Sequence, residues 1–136
     1  MSYLNRLEQE VCSWPNVTAH PHRFGGKEFR FGKAEIGHIH QNGTIDIPFP
    51  RTVRDALLEE GQVEEHRWVA NSGWATYRIR GEADLSHAAN LMRISYLRYA
   101  LKAASDPHEL LIRESEALHL SPRFVSLLER FAPCPA

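Results

Sequence analysis

The sequence holds eight histidines. Four of them form two His-x-His pairs, His20-Pro21-His22 and His38-Ile39-His40. On a β-strand, residues two apart project from one face, so each pair sets two imidazoles side by side, roughly 7 Å apart by the rise per residue. Neutral ring nitrogens so placed are ligands for zinc, iron or copper. A third ligand would come from His20, His22, Glu28 or Glu35. None of these stands at a diagnostic spacing, and the usual helical metal signature is absent, so the sequence assigns no metal and no cofactor. The same rings can instead form a polar floor for an organic ligand, because imidazole titrates near neutral pH and each nitrogen donates or accepts. Beside Arg23 and Trp74, they could hold and deprotonate an acidic small molecule. Ile36, on the expected face of His38 and His40, marks that face as covered surface, where polar groups need partners.

A second candidate surface is Trp74, Thr76, Arg78 and Arg80, which alternate onto one face of a strand. An aromatic ring followed by two cations suits an anion or single-stranded nucleic acid. The charge of the whole chain argues against nucleic acid as a partner: 16 Lys and Arg stand against 17 Asp and Glu, a net −1. Other chemistries are excluded by what is missing. Gly25-Gly26 lacks the following lysine and the strand-to-helix context of a phosphate loop, and no Gly-x-Ser-x-Gly occurs. Cys12 and Cys134 have no CxxC spacing, which fits a reduced, cytoplasmic protein. Glu59-Glu60 and Glu64-Glu65 read as solvated faces.

The elements that must position these residues follow from periodicity. The 136 residues, 43% hydrophobic and 24% charged, fit one globular domain spanning 1–136. Leu4, Leu7 and Val11 fall on one side of a helix over 2–13, with Ser2 as its cap and Trp14-Pro15 as its stop. Strands are expected at 17–20, 23–31, 34–40 and 44–47, with turns at Gly32-Lys33 and Asn42-Gly43 and a bulge or turn at Gly25-Gly26. In the third of these, Ala34, Ile36, His38 and His40 are expected on one side and Glu35, Gly37 and Ile39 on the other. A helix over 51–60 follows, then strands at 63–69 and 74–80. The helix from Asp84 to Ala104 is apolar on two sides, which places it between the sheet and a C-terminal pair of helices, 107–118 and 122–131. The fold class is α+β: a mostly antiparallel sheet of about five to six strands with helices chiefly on one face. No apolar run approaches a membrane span, and Met1 to Glu8 is amphipathic with an early acid, unlike a secretory signal.

Taken together, His20-Pro-His-Arg-Phe-Gly-Gly-Lys-Glu-Phe-Arg-Phe-Gly32, Glu35-Ile-Gly-His-Ile-His40, Asp46-Ile-Pro-Phe-Pro-Arg51, Ser72-Gly-Trp74 and Ser95-Tyr96 resemble the bacterial luciferase-domain family over about residues 14–100. Residues 105–136 lie beyond the resemblance as a helical extension. Gly73-Trp74 and Ser95-Tyr96 also resemble small bacterial proteins of the double-wing fold, which implies the fold alone. The family is more distantly similar to fungal luciferases, which oxidise a hydroxylated pyrone, 3-hydroxyhispidin, with dioxygen and without metal or flavin. The shared part is Glu35-Ile-x-His38-x-His40, the strand near Trp74 and the closing helix; His20 to Gly26 has no clear counterpart, and the fungal membrane-anchoring N-terminus is missing. The resemblance implies a small-molecule ligand and a cofactor-free oxygenase. His38 or His40 would be the base, the other histidine or Arg23 would steady the enolate oxygen, and Trp74 and Phe49 would form the wall. His20, His22 and Glu35 complete the expected binding set.

Overall fold

The computed structural model describes residues 3–22, 25–66 and 72–133. Helix α1 (Tyr3–Cys12) buries Leu7 and Val11, one turn apart, and ends before Trp14-Pro15. The expected Ser2 cap lies outside the described residues. The chain then meanders through β1 (Val17–Pro21), β2 (Lys27–Phe31), β3 (Ala34–Ile39) and β4 (Thr44–Pro48), each antiparallel to the one before. It leaves the sheet as α2 (Arg51–Glu59) and returns as β5 (Glu64–Glu65) and β6 (Trp74–Arg78). Strand β6 inserts between β4 and β5, so the order is β1-β2-β3-β4-β6-β5. This is the expected α+β arrangement with a six-stranded antiparallel sheet. The strand expected over 63–69 is paired only at Glu64 and Glu65, and residues 67–70 lie outside the described residues. The Gly25-Gly26 pair precedes β2 rather than interrupting it.

A short 3-10 turn (Glu82–Asp84) leads into the long helix α3 (Leu85–Ala103), followed by α4 (Pro107–Leu118) and α5 (Pro122–Glu129). Asp84 does not cap α3 through its side chain. Its carboxylate instead accepts the Arg80 backbone N–H at 2.8 Å, which ties the end of β6 to the turn. Helix α3 packs on β3 and β4 with one side and on α1 and α4 with others, as its two apolar stripes require. The Tyr96 hydroxyl donates to the Pro15 carbonyl at 3.1 Å. The Arg93 guanidinium lies over the Trp14 and Tyr96 rings and reaches Glu114 of α4 at 2.5 Å. Helix α4 thus covers α3 while α5 packs on α2 and α4, the helices share one core on one side of the sheet, and among the described residues the other face is bare of helices.

Two features of β3 shape the face that carries His38. Gly37 (φ 154°) faces α3, and a Cβ there would lie 2.5 Å from the Met92 sulfur. Glycine lets the helix backbone come close to the strand that carries His38. Beside it, Phe29 pairs with Gly37 but Arg30 pairs with Glu35, so Ile36 is an inserted residue, a β-bulge. Ile36 is fully buried in the apolar core. The expected alternation is therefore corrected: Ile36 leaves the histidine face, and Glu35 joins it.

Candidate functional site

The bare face of the sheet is where the polar residues gather. In β4, Ile45 and Ile47 enter the core, so strand alternation sends Asp46 between them to the opposite face. There the register lines up His38, Asp46 and Thr76 across three strands. Trp74 and Arg78 flank Thr76 on β6 while Ala75 and Ile79 go to the core. The two surfaces that appear separate in sequence, the His-x-His strand and the Trp74 strand, are thus one face.

Asp46 is the hub, and only 6% of it is exposed. Its Oδ2 lies 2.8 Å from His40 Nε2 and 3.2 Å from His38 Nε2. Its Oδ1 accepts the Thr76 hydroxyl at 2.6 Å and lies 3.7 Å from His66 Nε2. The other ring nitrogen of His38, Nδ1, meets Glu35 Oε2 at 2.7 Å. Facing a carboxylate at each nitrogen, His38 donates from both and carries a positive charge. Burial alone would lower its pKa, but the hydrogen bonds and charges of Asp46 and Glu35 outweigh it and raise the value to about 9. Burial likewise pushes Asp46 up, and hydrogen bonds from His38, Thr76 and His40 reverse the effect, holding its carboxyl well below the usual carboxylate range.

Aromatic groups close in around this hub. The His22 ring stacks on His38 with centroids 4.1 Å apart and meets the edge of His40 at 5.8 Å. Burial, then the neighbouring charge of His38, lowers the pKa of His22. Trp74 stands 5.5 Å from His38 and 6.0 Å from His66.

Of the residues expected at the site, the structure brings together His22, Glu35, His38, His40 and Trp74. His20 sits apart on β1, where its Nε2 pairs with the Thr18 hydroxyl at 2.8 Å. Phe49 is 2% exposed and belongs to the apolar core; the wall expected of it is not on this face. Arg23 lies outside the described residues. Arg78 points at Glu64 across 3.9 Å, and Arg80 falls beyond the strand. Two groups escaped the sequence reading, Asp46 and His66. Asp46 did leave a signal: a lone carboxylate inside an apolar strand, one tight hairpin away from His38. His66 left none, since it follows an exposed acidic pair just past a two-residue strand.

His38, His40 and Asp46 each offer one ligand atom, and these atoms lie within 4.8 Å of one another. Among the described residues, no helix is long and apolar enough to cross a membrane. No curated protein and no solved structure matches the chain. A family model described as Luciferase domain matches residues 33–95, a span that takes in Glu35, His38, His40, Asp46, His66, Trp74 and Thr76 but leaves out β1 and β2. Over residues 33–95 the chain is thus similar to the luciferase domain.

Proposed function

We propose that the chain binds a small aromatic or enolisable organic molecule on the bare sheet face, with His40 taking its acidic proton and the His38 cation steadying the anion that remains. The observation that carries this reading is His38 held at both nitrogens by carboxylates, with His40 and Trp74 beside it. Such bonding fixes the imidazole before any ligand arrives, which is what preorganised proton transfer and oxyanion stabilisation need. Trp74 offers an aromatic surface against which a flat ring can lie. Proton removal leaves an enolate, and likeness to the fungal luciferases makes dioxygen its partner. The enolate carbon would bond to oxygen, the carbon being oxidised and dioxygen reduced to a bound peroxide, without an organic cofactor. The rival reading is a face that binds nucleic acid. Glu28, Glu35, Asp46 and Glu64 on that face oppose Arg30 and Arg78, a balance that suits a small polar ligand better than a polyanion.

The test is calorimetric titration of the full chain with a hydroxylated pyrone. Saturable binding that His38→Ala with His40→Ala abolishes, and that added salt barely changes, is the expected result. Binding of a single-stranded oligonucleotide that falls steeply with salt, with no pyrone held, would replace this reading with its rival.

A further inference from the structure

The geometry points to a divalent transition-metal site at His38, His40 and Asp46, and this inference rests on the bare face being the functional one. Three lines of geometry support it. First, the donors are two imidazole nitrogens and one carboxylate oxygen, a set that binds zinc or ferrous iron and leaves coordination positions open for a substrate. Second, their spacing matches a shared ion. Metal–ligand bonds of about 2.0–2.1 Å put neighbouring ligand atoms about 3.0–3.4 Å apart; Asp46 Oδ2 stands 3.2 Å from His38 Nε2 and, slightly closer than that, 2.8 Å from His40 Nε2, and all three ligand atoms lie within 4.8 Å of one another, so small side-chain shifts would seat an ion between them. Third, the outer partners are in place. Glu35 engages His38 Nδ1 at 2.7 Å, so Nε2 is the nitrogen that would give up its proton to an entering ion and become the ligand atom, and Thr76 holds the second oxygen of Asp46 at 2.6 Å. Ligating histidines characteristically give their other N–H to a carboxylate, and ligating carboxylates are themselves hydrogen-bonded.

His66, 3.7 Å from Asp46 Oδ1, borders the same hub. An ion held there would accept the oxygen of an enolate or hydroxypyrone directly as a Lewis acid. The ligand class follows from this chemistry: organic molecules with two adjacent oxygens, one of them acidic, that can chelate from the open side.

The experiment strips the full chain with a chelator and titrates it with cobalt(II), followed by visible absorption, then with zinc as competitor. One equivalent of cobalt is expected to give ligand-field bands that zinc abolishes. His20→Ala leaves this unchanged. Glu35→Gln weakens affinity by about 10- to 100-fold, and His40→Ala by more, each checked for folding by thermal melt. Should His40→Ala fail to fold, Glu35→Gln against His20→Ala carries the comparison. Absence of saturable cobalt binding overturns the inference, as does equal binding by the His20, His40 and Glu35 variants. Pyrone binding by the chelated chain with no cobalt bound sinks the metal and leaves the reading of the face intact. Cobalt binding with no pyrone held, with or without the ion, does the reverse.

Discussion

The two faces of the sheet are built on opposite principles. Under α3, Phe29, Ile36, Ile45, Ile47 and Ala75 are almost wholly buried among Leu91, Met92 and Leu97, and order there comes from apolar packing. On the bare face, order comes from directional bonds that converge on one carboxylate, Asp46. The same strands supply both, because β-alternation hands successive residues to opposite sides. The first face accounts for stability, and the second is the one to which the proposed binding and proton chemistry is assigned. The comparison is useful only if the two can be perturbed separately.

The strongest perturbation belongs to the packed face. Leu97 is fully buried, and Leu97→Ala removes its packing and leaves a cavity, a loss of about 2–5 kcal/mol in denaturant unfolding. Affinity of the folded variant for the hydroxylated pyrone or for cobalt should match the parent chain. A parallel fall in affinity would mean that the faces are coupled through the sheet and that the division is false.

Asp46→Asn probes the other face. The amide keeps one carbonyl oxygen but loses the charge on which His38, His40, Thr76 and His66 converge. Hydrogen bonds to a charged group contribute about 1.5–3 kcal/mol, so a stability loss of that order is expected. Binding should disappear altogether, a disproportion that Leu97→Ala does not show. Retained binding in a folded Asp46→Asn chain would remove Asp46 from the centre of the site.

How far this contrast can be read from the sequence depends on where a residue gets its position. The helices, the two sides of α3 and the antiparallel strands follow from local periodicity and turn chemistry, and those are written residue by residue. The common face of His38 and His40 is equally local. Asp46 needed one more step: a hairpin turning about Asn42 sets the fourth residue before it opposite the fourth after it, which is His38 against Asp46. Strict alternation puts Glu35 on the wrong side because it assumes an unbroken ladder, and the insertion of Ile36 depends on how β2 and β3 settle together. His22 stacks on His38 across the turn at Gly25-Gly26, a contact between chain segments that no period encodes. Phe49 is a wall residue only by the family resemblance, and alternation past Asp46 and Pro48 carries it to the core.

The smallest expected effect tests whether the bare face acts as a point or as a surface. Arg78 lies on it two residues from Thr76, but its guanidinium is 3.9 Å from Glu64 and both side chains are mostly exposed. Such a pair gains little in water, about 0–1 kcal/mol, because solvent screens the charges and long side chains resist being fixed. Arg78→Ala should therefore leave the unfolding midpoint and pyrone affinity within error of the parent chain. If the site is a point centred on Asp46, a cation at the rim has nothing to hold. If instead Arg78→Ala weakens binding severalfold and makes it less sensitive to salt, the ligand must extend along β6. The row Trp74, Thr76, Arg78 would then be the recognition element, with the histidine hub supporting it from below.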